Sequence, residues 1–266
     1  MSDATTNQST QHGSSERGVA LVTGGGVRVG RALCVALAKA GFDVAVHYNS
    51  SEGPAAETAS LIEQAGGKAQ TFQADLTDTD ETSALVPAVR EAMGPITLLV
   101  NNASLFENDA LADFTVDGWH AHMNANLLAP MLLAKSFAAQ AELGRNTMIA
   151  NIIDQRVWAL TPRFFSYTLS KSALWTATQT LAQDLGPKGI RVNGIGPGPT
   201  LKNARQSDED WQAQNDALIL RKGPDPDDIA AALLYLVDAR PVTGQMIAVD
   251  GGQHLAWETP DVTVNE

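Results

Sequence analysis

The chain has 266 residues, 44% of them hydrophobic, with 18 basic against 30 acidic side chains and a formal net charge of −12. That apolar content supports a sizeable core and excludes a disordered chain, while the acidic balance argues against general binding to nucleic acid or to an anionic membrane. The single cysteine, Cys34, leaves no internal disulfide or cysteine-based metal cluster, and no apolar run approaches the ~18 residues that span a bilayer. Met1 to Arg17 is rich in Ser, Thr, Gln and Asn and lacks the apolar stretch of a secretory signal. It reads as a disordered polar tail ahead of one domain over residues 18–266, in a protein expected to be cytoplasmic.

From Gly18 onward, short β-branched runs alternate with longer Ala/Leu-rich ones. Val19–Thr23 reads as a buried strand, followed by a helix from about Val29 to Ala40. Phe42–Tyr48 is a strand, Pro54–Ala65 a helix, Lys68–Ala74 a strand, Thr79–Met93 a helix and Ile96–Asn101 a fourth strand. A long helix is expected from Val116 to Leu143, a strand over Thr147–Ile153, a helix over Phe165–Leu185 and a strand over Ile190–Ile195. Helix Pro226–Val237 and strand Gln245–Val249 close the pattern. Near-continuous apolar strands in strict β–α alternation predict an α/β fold: a single-domain Rossmann-type doubly wound parallel sheet of about seven strands, helices on both faces. Ligands in such sheets bind beyond the carboxyl ends of the strands, so functional residues are expected just after them. The less regular stretch from Pro197 to Lys222 reads as a mobile flap over that region.

Thr23-Gly24-Gly25-Gly26-Val27-Arg28-Val29-Gly30 lies between the first strand and the first helix. Glycines there allow a tight turn and close approach to a pyrophosphate, which the helix N-terminus attracts. Three glycines can also simply make a turn; the strand–turn–helix position favours a dinucleotide. The second strand ends His47-Tyr48-Asn49-Ser50-Ser51, with no acid before Glu52 to chelate ribose hydroxyls. Donors at Asn49, Ser50 and Ser51, with the Arg28 guanidinium nearby, suit a 2′-phosphate, so NADPH is expected over NADH; a merely polar loop is the alternative. Asp75, with Leu76 beside it, is placed to meet the adenine, or else caps the next helix. Asn101-Asn102-Ala103-Ser104 follows the fourth strand, its small side chains letting the chain pass close to the adenine ribose.

Tyr167 and Lys171, four apart on an expected helix, share one face. An ammonium beside a phenol lowers the phenol pKa and suits it to proton transfer near neutral pH. Tyr-x-x-x-Lys occurs by chance, but its place after the fifth strand and downstream of a phosphate turn gives it weight. Asp154 ends that fifth strand. His47, His120 and His122 have no metal-ligand arrangement, and no metal is expected.

Together, Thr23–Gly30, Asn101-Asn102-Ala103, Asn126, Tyr167-x-x-x-Lys171, Pro197-Gly198 with Thr200, and Asp250-Gly251-Gly252 resemble the short-chain dehydrogenase/reductase family over nearly the whole chain after the tail. The resemblance implies Tyr167 as proton donor, Lys171 holding the nicotinamide ribose, Asn126 anchoring a water-linked proton relay, and an oligomer, often a homotetramer. Two departures narrow it: Arg28 stands where glycine is usual, and Asp154 where a serine normally polarises a carbonyl. With His47-Tyr48, Asn102-Ala103-Ser104 and Phe106, these look like the pteridine reductase and dihydromonapterin reductase branch. That branch implies Arg28 near the cofactor phosphates and the pterin, Phe106 stacked on the pterin ring, and Ser104 helping to bind it. Ser50 replaces a basic residue often found there. A carboxyl at 154 suits a nitrogen heterocycle whose C=N bond is reduced. The alternatives are that Asp154 is a loop residue with Ser166 or another hydroxyl in its place, and that Phe106 covers the core. Trp158, Phe164 and Phe165 are further candidates for the pocket wall. A carbonyl or 3-oxoacyl reductase, and a non-catalytic dinucleotide sensor, remain the competing functions.

Overall fold

The computed structural model describes residues 17–142, 145–203 and 206–258; the polar tail expected over 1–17 lies, Arg17 apart, outside them. Seven strands form one parallel sheet: β1 (Val19–Val22), β2 (Asp43–Tyr48), β3 (Ala69–Gln73), β4 (Ile96–Asn101), β5 (Thr147–Ile152), β6 (Ile190–Pro197) and β7 (Met246–Val249). Their order is β3-β2-β1-β4-β5-β6-β7, so the direction of winding reverses between β1 and β4, where a crevice opens beyond the strand ends.

Each strand alternates its side chains between two cores, as a pleat of period two requires. Ala20 and Val22 of β1 face α1 (Arg28–Lys39), α2 (Glu52–Gln64) and α8 (Pro226–Asp238), meeting Leu33, Leu37, Ile62, Ile229 and Leu233. Val19 and Leu21 face the other layer, α3 (Thr79–Met93), α5 (Ala129–Gln140) and α6 (Phe165–Leu185), meeting Leu85, Val89, Leu133, Phe137 and Ala182. Cys34 is packed in the first core, and burial pushes its thiol far up. No helix among the described residues is long and apolar enough to cross a membrane.

The helix expected over 116–143 is three segments. α4 (Val116–Met123) runs into a π-helical turn over Asn124–Leu128, then into α5, which ends at Gln140; Leu143 lies outside the described residues. Pro130 supplies the reason. It has no N–H for the carbonyl of residue 126, and widening the preceding turn accommodates the ring without breaking the helix. The stretch expected to be an irregular flap contains α7 (Asp208–Asp216), capped by Ser207, whose Oγ accepts from the Asp210 N–H at 3.0 Å. Its sequence, DEDWQAQND, has no apolar stripe to announce it.

Candidate active site

The turn after β1 is held by its own side chains. Gly24 has φ +62°, which a side chain rarely adopts, and a Cβ on Gly30 would stand 2.0 Å from the Gly24 carbonyl. Thr23 Oγ1 accepts from the N–H groups of Asn102 (2.9 Å) and Ala103 (3.0 Å), while Asn102 Nδ2 donates to the carbonyls of Thr23 and Gly24. His47, 1% exposed, donates from Nε2 to the Ala74 carbonyl at 3.0 Å and accepts at Nδ1 from the Gly24 N–H at 3.1 Å. Burial lowers its pKa, keeping the ring neutral in the one tautomer that satisfies both bonds. Thr23, His47 and Asn102 therefore shape the cradle, their polar atoms already engaged by backbone. Expecting His47 as a direct ligand overlooked that burial.

Beyond β2, Asn49, Ser50 and Ser51 are exposed and Tyr48 is half-buried; Ser51 precedes α2 with its hydroxyl unused as a cap. Arg28 does not join them. It starts α1 at φ +51° and donates to the carbonyls of Leu201 (3.1 Å) and Lys202 (3.4 Å), facing the loop after β6. The guanidinium on the α2 side is Arg31, bound to the Gly26 carbonyl, Thr58 and Glu57. Spacing along the turn could not tell these two arginines apart. Val29 packs on the first core and Leu76 lies in the second. Asp75 does not cap α3, which Asp78 does; it accepts from the N–H and hydroxyl of Thr77, which lower its pKa.

At the end of β5 the proton-transfer groups converge. Tyr167 Oη donates to Asp154 Oδ2 at 2.9 Å, and Asp154 Oδ1 accepts from the Arg156 N–H at 2.7 Å. Lys171, 2% exposed, donates from Nζ to the Ile152 carbonyl at 2.8 Å and sits 5.8 Å from the Tyr167 ring centroid. Burial lowers the lysine from 10.5 to about 8, against the opposing pull of Asp154. Burial raises Asp154, offset in part by Arg156, Tyr167 and Lys171. The phenol is pushed well above its ordinary value, first by burial and then by the Asp154 carboxylate. This reverses the lowering expected from the Tyr–Lys spacing alone: the nearest charge to the hydroxyl is a carboxylate, not the ammonium. Tyr167 is thus a protonated acid paired with a carboxyl reluctant to ionise.

Asn126, on the π-helical turn, clamps the loop after β4. Its Oδ1 accepts from the Leu105 N–H (2.8 Å) and Ser104 Oγ (3.2 Å), and its Nδ2 donates to the Leu105 carbonyl (2.9 Å) and Ser170 Oγ (3.1 Å). Gly198, after β6, lies so close to Asp250 that a Cβ would stand 2.6 Å from its Cα. Asp250 in turn accepts from the N–H groups of Gly252 and His254 and pairs with the His254 ring at 2.7 Å, so the Asp-Gly-Gly motif braces Pro197-Gly198.

These elements enclose a cleft of about 250 Å³ lined by Arg28, Phe106, Asp154, Tyr167, Pro197 and Gly198. Phe106 stacks on Phe164 (centroids 4.4 Å apart, planes 8° off parallel) and meets Tyr167 edge-on at 4.7 Å. It lines the cleft, but one face is already covered by a residue of the wall. Ser166 Oγ is buried and contributes no lining there. Phe165 packs against Phe114 and Trp119 and Trp158 against Trp175 and His254, and neither lines the cleft. Arg156, Gln155, Trp211 and Gln253 also line the cleft and were not foreseen. For Gln155 and Arg156 a signal existed: they directly follow Asp154 at the carboxyl end of β5. Among the described residues, no three His, Cys, Asp or Glu side chains gather as a metal site.

Known proteins resemble this chain in sequence and fold. A crystal structure described as FolM alternative dihydrofolate reductase 1 from Brucella canis complexed with NADP superimposes with a TM-score of 0.89 at 46% identity, covering 94% of this chain and 98% of that one. An uncharacterised oxidoreductase of Methylorubrum extorquens is 34% identical over 241 residues, 88% of this chain and 96% of that protein. Glucose 1-dehydrogenase 2 of Bacillus subtilis is 31% identical over 245 residues, 89% and 94% of the two chains. A family model described as Enoyl-(Acyl carrier protein) reductase matches residues 26–254. With its seven-stranded parallel sheet and its Tyr167–Lys171 pair beside the end of β5, the chain belongs to the short-chain dehydrogenase/reductase family of oxidoreductases.

Proposed function

We propose that the protein is an NADPH-dependent reductase of the C=N bond of a dihydropterin or related pteridine. The observation that carries the reading is the 2.9 Å bond from Tyr167 Oη to the Asp154 carboxyl, in a cleft also lined by Arg28 and Phe106. A hydroxyl at 154 would suit a neutral carbonyl. A buried carboxyl of raised pKa suits a ring bearing N–H groups, because it can accept from them or hold a proton beside them. The likeness to a 46% identical protein, a dihydrofolate reductase complexed with NADP, supports the same reading.

The cradle fits a dinucleotide. Gly24 and Gly30 leave the backbone of the turn open at the head of α1, and Asn49, Ser50 and Ser51 offer donors with no acid before Glu52. Gly24, Arg28, Val29 and Gly30 would flank the pyrophosphate; Asp75 and Leu76 the adenine; Asn102, Ala103 and Ser104 the adenine ribose; Tyr167, Lys171, Pro197 and Gly198 the nicotinamide end. When bound, NADPH supplies the hydride. Tyr167 would supply the proton to the ring nitrogen, and Asp154, which accepts from that hydroxyl, orients it. Lys171, the nearest ammonium to the phenol, offsets the charge that remains. Asn126 holds Ser104 and Leu105 at the rim. A cytoplasmic homotetramer accompanies this reading, on the family resemblance alone.

A carbonyl reductase is the second reading, favoured by the likeness to glucose 1-dehydrogenase 2. Steady-state rates with NADPH against dihydropterins and a panel of ketones and acyl thioesters separate the two. Asp154→Ser should lower kcat/KM for dihydropterins about 100-fold, the lower end of what a positioned acid–base group contributes, and spare carbonyls. Equal losses, or no pteridine turnover by the parent protein, would remove the first reading.

A further inference from the structure

Helix α6 carries Tyr167 to the cleft, yet its own sequence does not hold its start. A helix leaves its first N–H groups without partners, and a polar side chain just ahead of it usually answers one of them. Here the residue ahead is Phe164, which makes no such bond, and the first turn carries no acid. Phe164 is also held at φ +56°, a left-handed conformation that a bulky side chain rarely adopts. No side chain near it in sequence therefore fixes where this 21-residue helix begins.

The anchor comes from Asp109, 57 residues before Ser166. Its carbonyl accepts from the Phe165 N–H at 3.2 Å, and its carboxylate accepts from the Ser166 N–H, at 3.1 Å to Oδ1 and 3.4 Å to Oδ2. One residue thus satisfies two donors of the first turn, the second immediately before Tyr167. A carboxylate there also meets the positive end of the helix dipole. Asp109 lies on the loop after β4, which is itself fastened. Asn126 holds Leu105, the Glu107 N–H donates to His122 Nε2 at 3.3 Å, and the Ala110 N–H donates to Asp113 Oδ1 at 2.7 Å. His122 is buried and donates from Nδ1 to the Gly118 carbonyl at 2.8 Å. The same loop carries Phe106, whose ring lies on Phe164 and edge-on to Tyr167. Asp109 does not line the cleft, so its effect on the reaction passes through the helix it holds.

We propose that Asp109 is a positioning residue for proton transfer: it ties the first turn of α6 to the loop after β4 and so sets where the Tyr167 hydroxyl stands against Asp154. The inference takes Tyr167 as the proton donor of the reductase reading and adds the group that keeps it in place. The hydroxyl stands at the far end of the tyrosine ring, so a small tilt of the first turn disrupts its 2.9 Å bond to Asp154. A misplacement of about 1 Å costs up to about 100-fold in rate.

Two variants test it. Asp109→Ala removes the carboxylate, whereas Asp109→Asn keeps an oxygen acceptor for the Ser166 N–H, and asparagine caps helices about as well as aspartate. NADPH oxidation is followed with a dihydropterin or, if the protein turns over only carbonyl compounds, with a ketone, so that failure of the pteridine reading leaves this test standing. In Asp109→Ala, kcat should fall about 10–100-fold while KM for NADPH stays unchanged; Asp109→Asn should recover most of kcat. If Asp109→Ala loses Tm but not kcat, or Asp109→Asn is as slow as Asp109→Ala, the inference is overturned. If the parent protein reduces neither class of compound, the reductase reading fails, and hydrogen exchange in the NADPH-loaded protein decides the anchor alone. Exchange at the Ser166 amide should accelerate in Asp109→Ala well beyond that of the β5 amides and stay slow in Asp109→Asn. No acceleration, or the same acceleration throughout β5, would mean that Asp109 does not hold this turn.

Discussion

Among single residues, Lys171 shows most directly how the site opposes the stability of the fold. It is held at about 8, against 10.5 for an ordinary lysine, because burial disfavours the ammonium. Between those values the unfolded chain binds a proton that the folded chain does not, so stability rises with pH across that window. At neutral pH the buried charge costs on the order of 3 kcal/mol; the bond to the Ile152 carbonyl, whose loss costs about 1 kcal/mol, offsets part of it. Lys171→Met should abolish turnover yet raise stability by about 2 kcal/mol below pH 8. Denaturant midpoints measured across pH should show that advantage disappearing toward pH 10.5. A variant less stable than the parent protein at pH 7 would refute the balance. The convergence of Tyr167, Lys171 and Asp154 was legible because residue type, spacing and place after β5 agreed. The direction of the phenol shift was not, since it depends on which charged atom touches the hydroxyl, and only the packed structure decides that.

At the level of elements, strands and most helices were readable because each is a buried apolar run or an amphipathic stretch ended by Gly or Pro. The π-helical turn and α7 were not. The first depends on how one proline ring is accommodated inside a helix; the second is a polar segment whose hydrogen-bonded cap, not an apolar stripe, starts it. The Phe106–Phe164 stack was equally hidden, because it requires a left-handed phenylalanine at the head of α6 that residue type does not favour. The π-helical turn bears on the candidate site because it presents Asn126, fully buried, to four hydrogen-bonding groups on Ser104, Leu105 and Ser170. Asn126→Ala should leave the backbone N–H and carbonyl of Leu105 without those partners and destabilise the protein by about 2–3 kcal/mol. The loop carrying Ser104 and Phe106 should loosen with it. Hydrogen exchange at the Leu105 amide should accelerate well beyond the global loss of stability, and substrate KM should rise. Uniform acceleration across the sheet would instead mean that Asn126 serves the fold as a whole and not this loop.

For the whole molecule, charge is distributed against the site. Eighteen basic and thirty acidic side chains leave an excess of twelve negative charges, yet two guanidiniums, Arg28 and Arg156, line the cleft beside Tyr167. Acidic groups crowd the helix starts, as at Asp208, Glu209 and Asp210 on α7 and Asp225, Asp227 and Asp228 on α8, where they favour the helix dipole but repel one another. Surface ion pairs such as Arg17–Asp238 and Arg31–Glu57 are partly exposed and each contributes at most about 1 kcal/mol. Salt screens both these attractions and the net repulsion, whose Debye length falls from about 30 Å at 0.01 M to about 8 Å at 0.15 M. With repulsion in excess, Tm should rise by several degrees over that range. Thermal melts recorded at the two ionic strengths measure which of the two terms is larger. If Tm fell instead, attraction between surface pairs would outweigh the excess negative charge, and the acidic surface would not be the electrostatic load inferred for it.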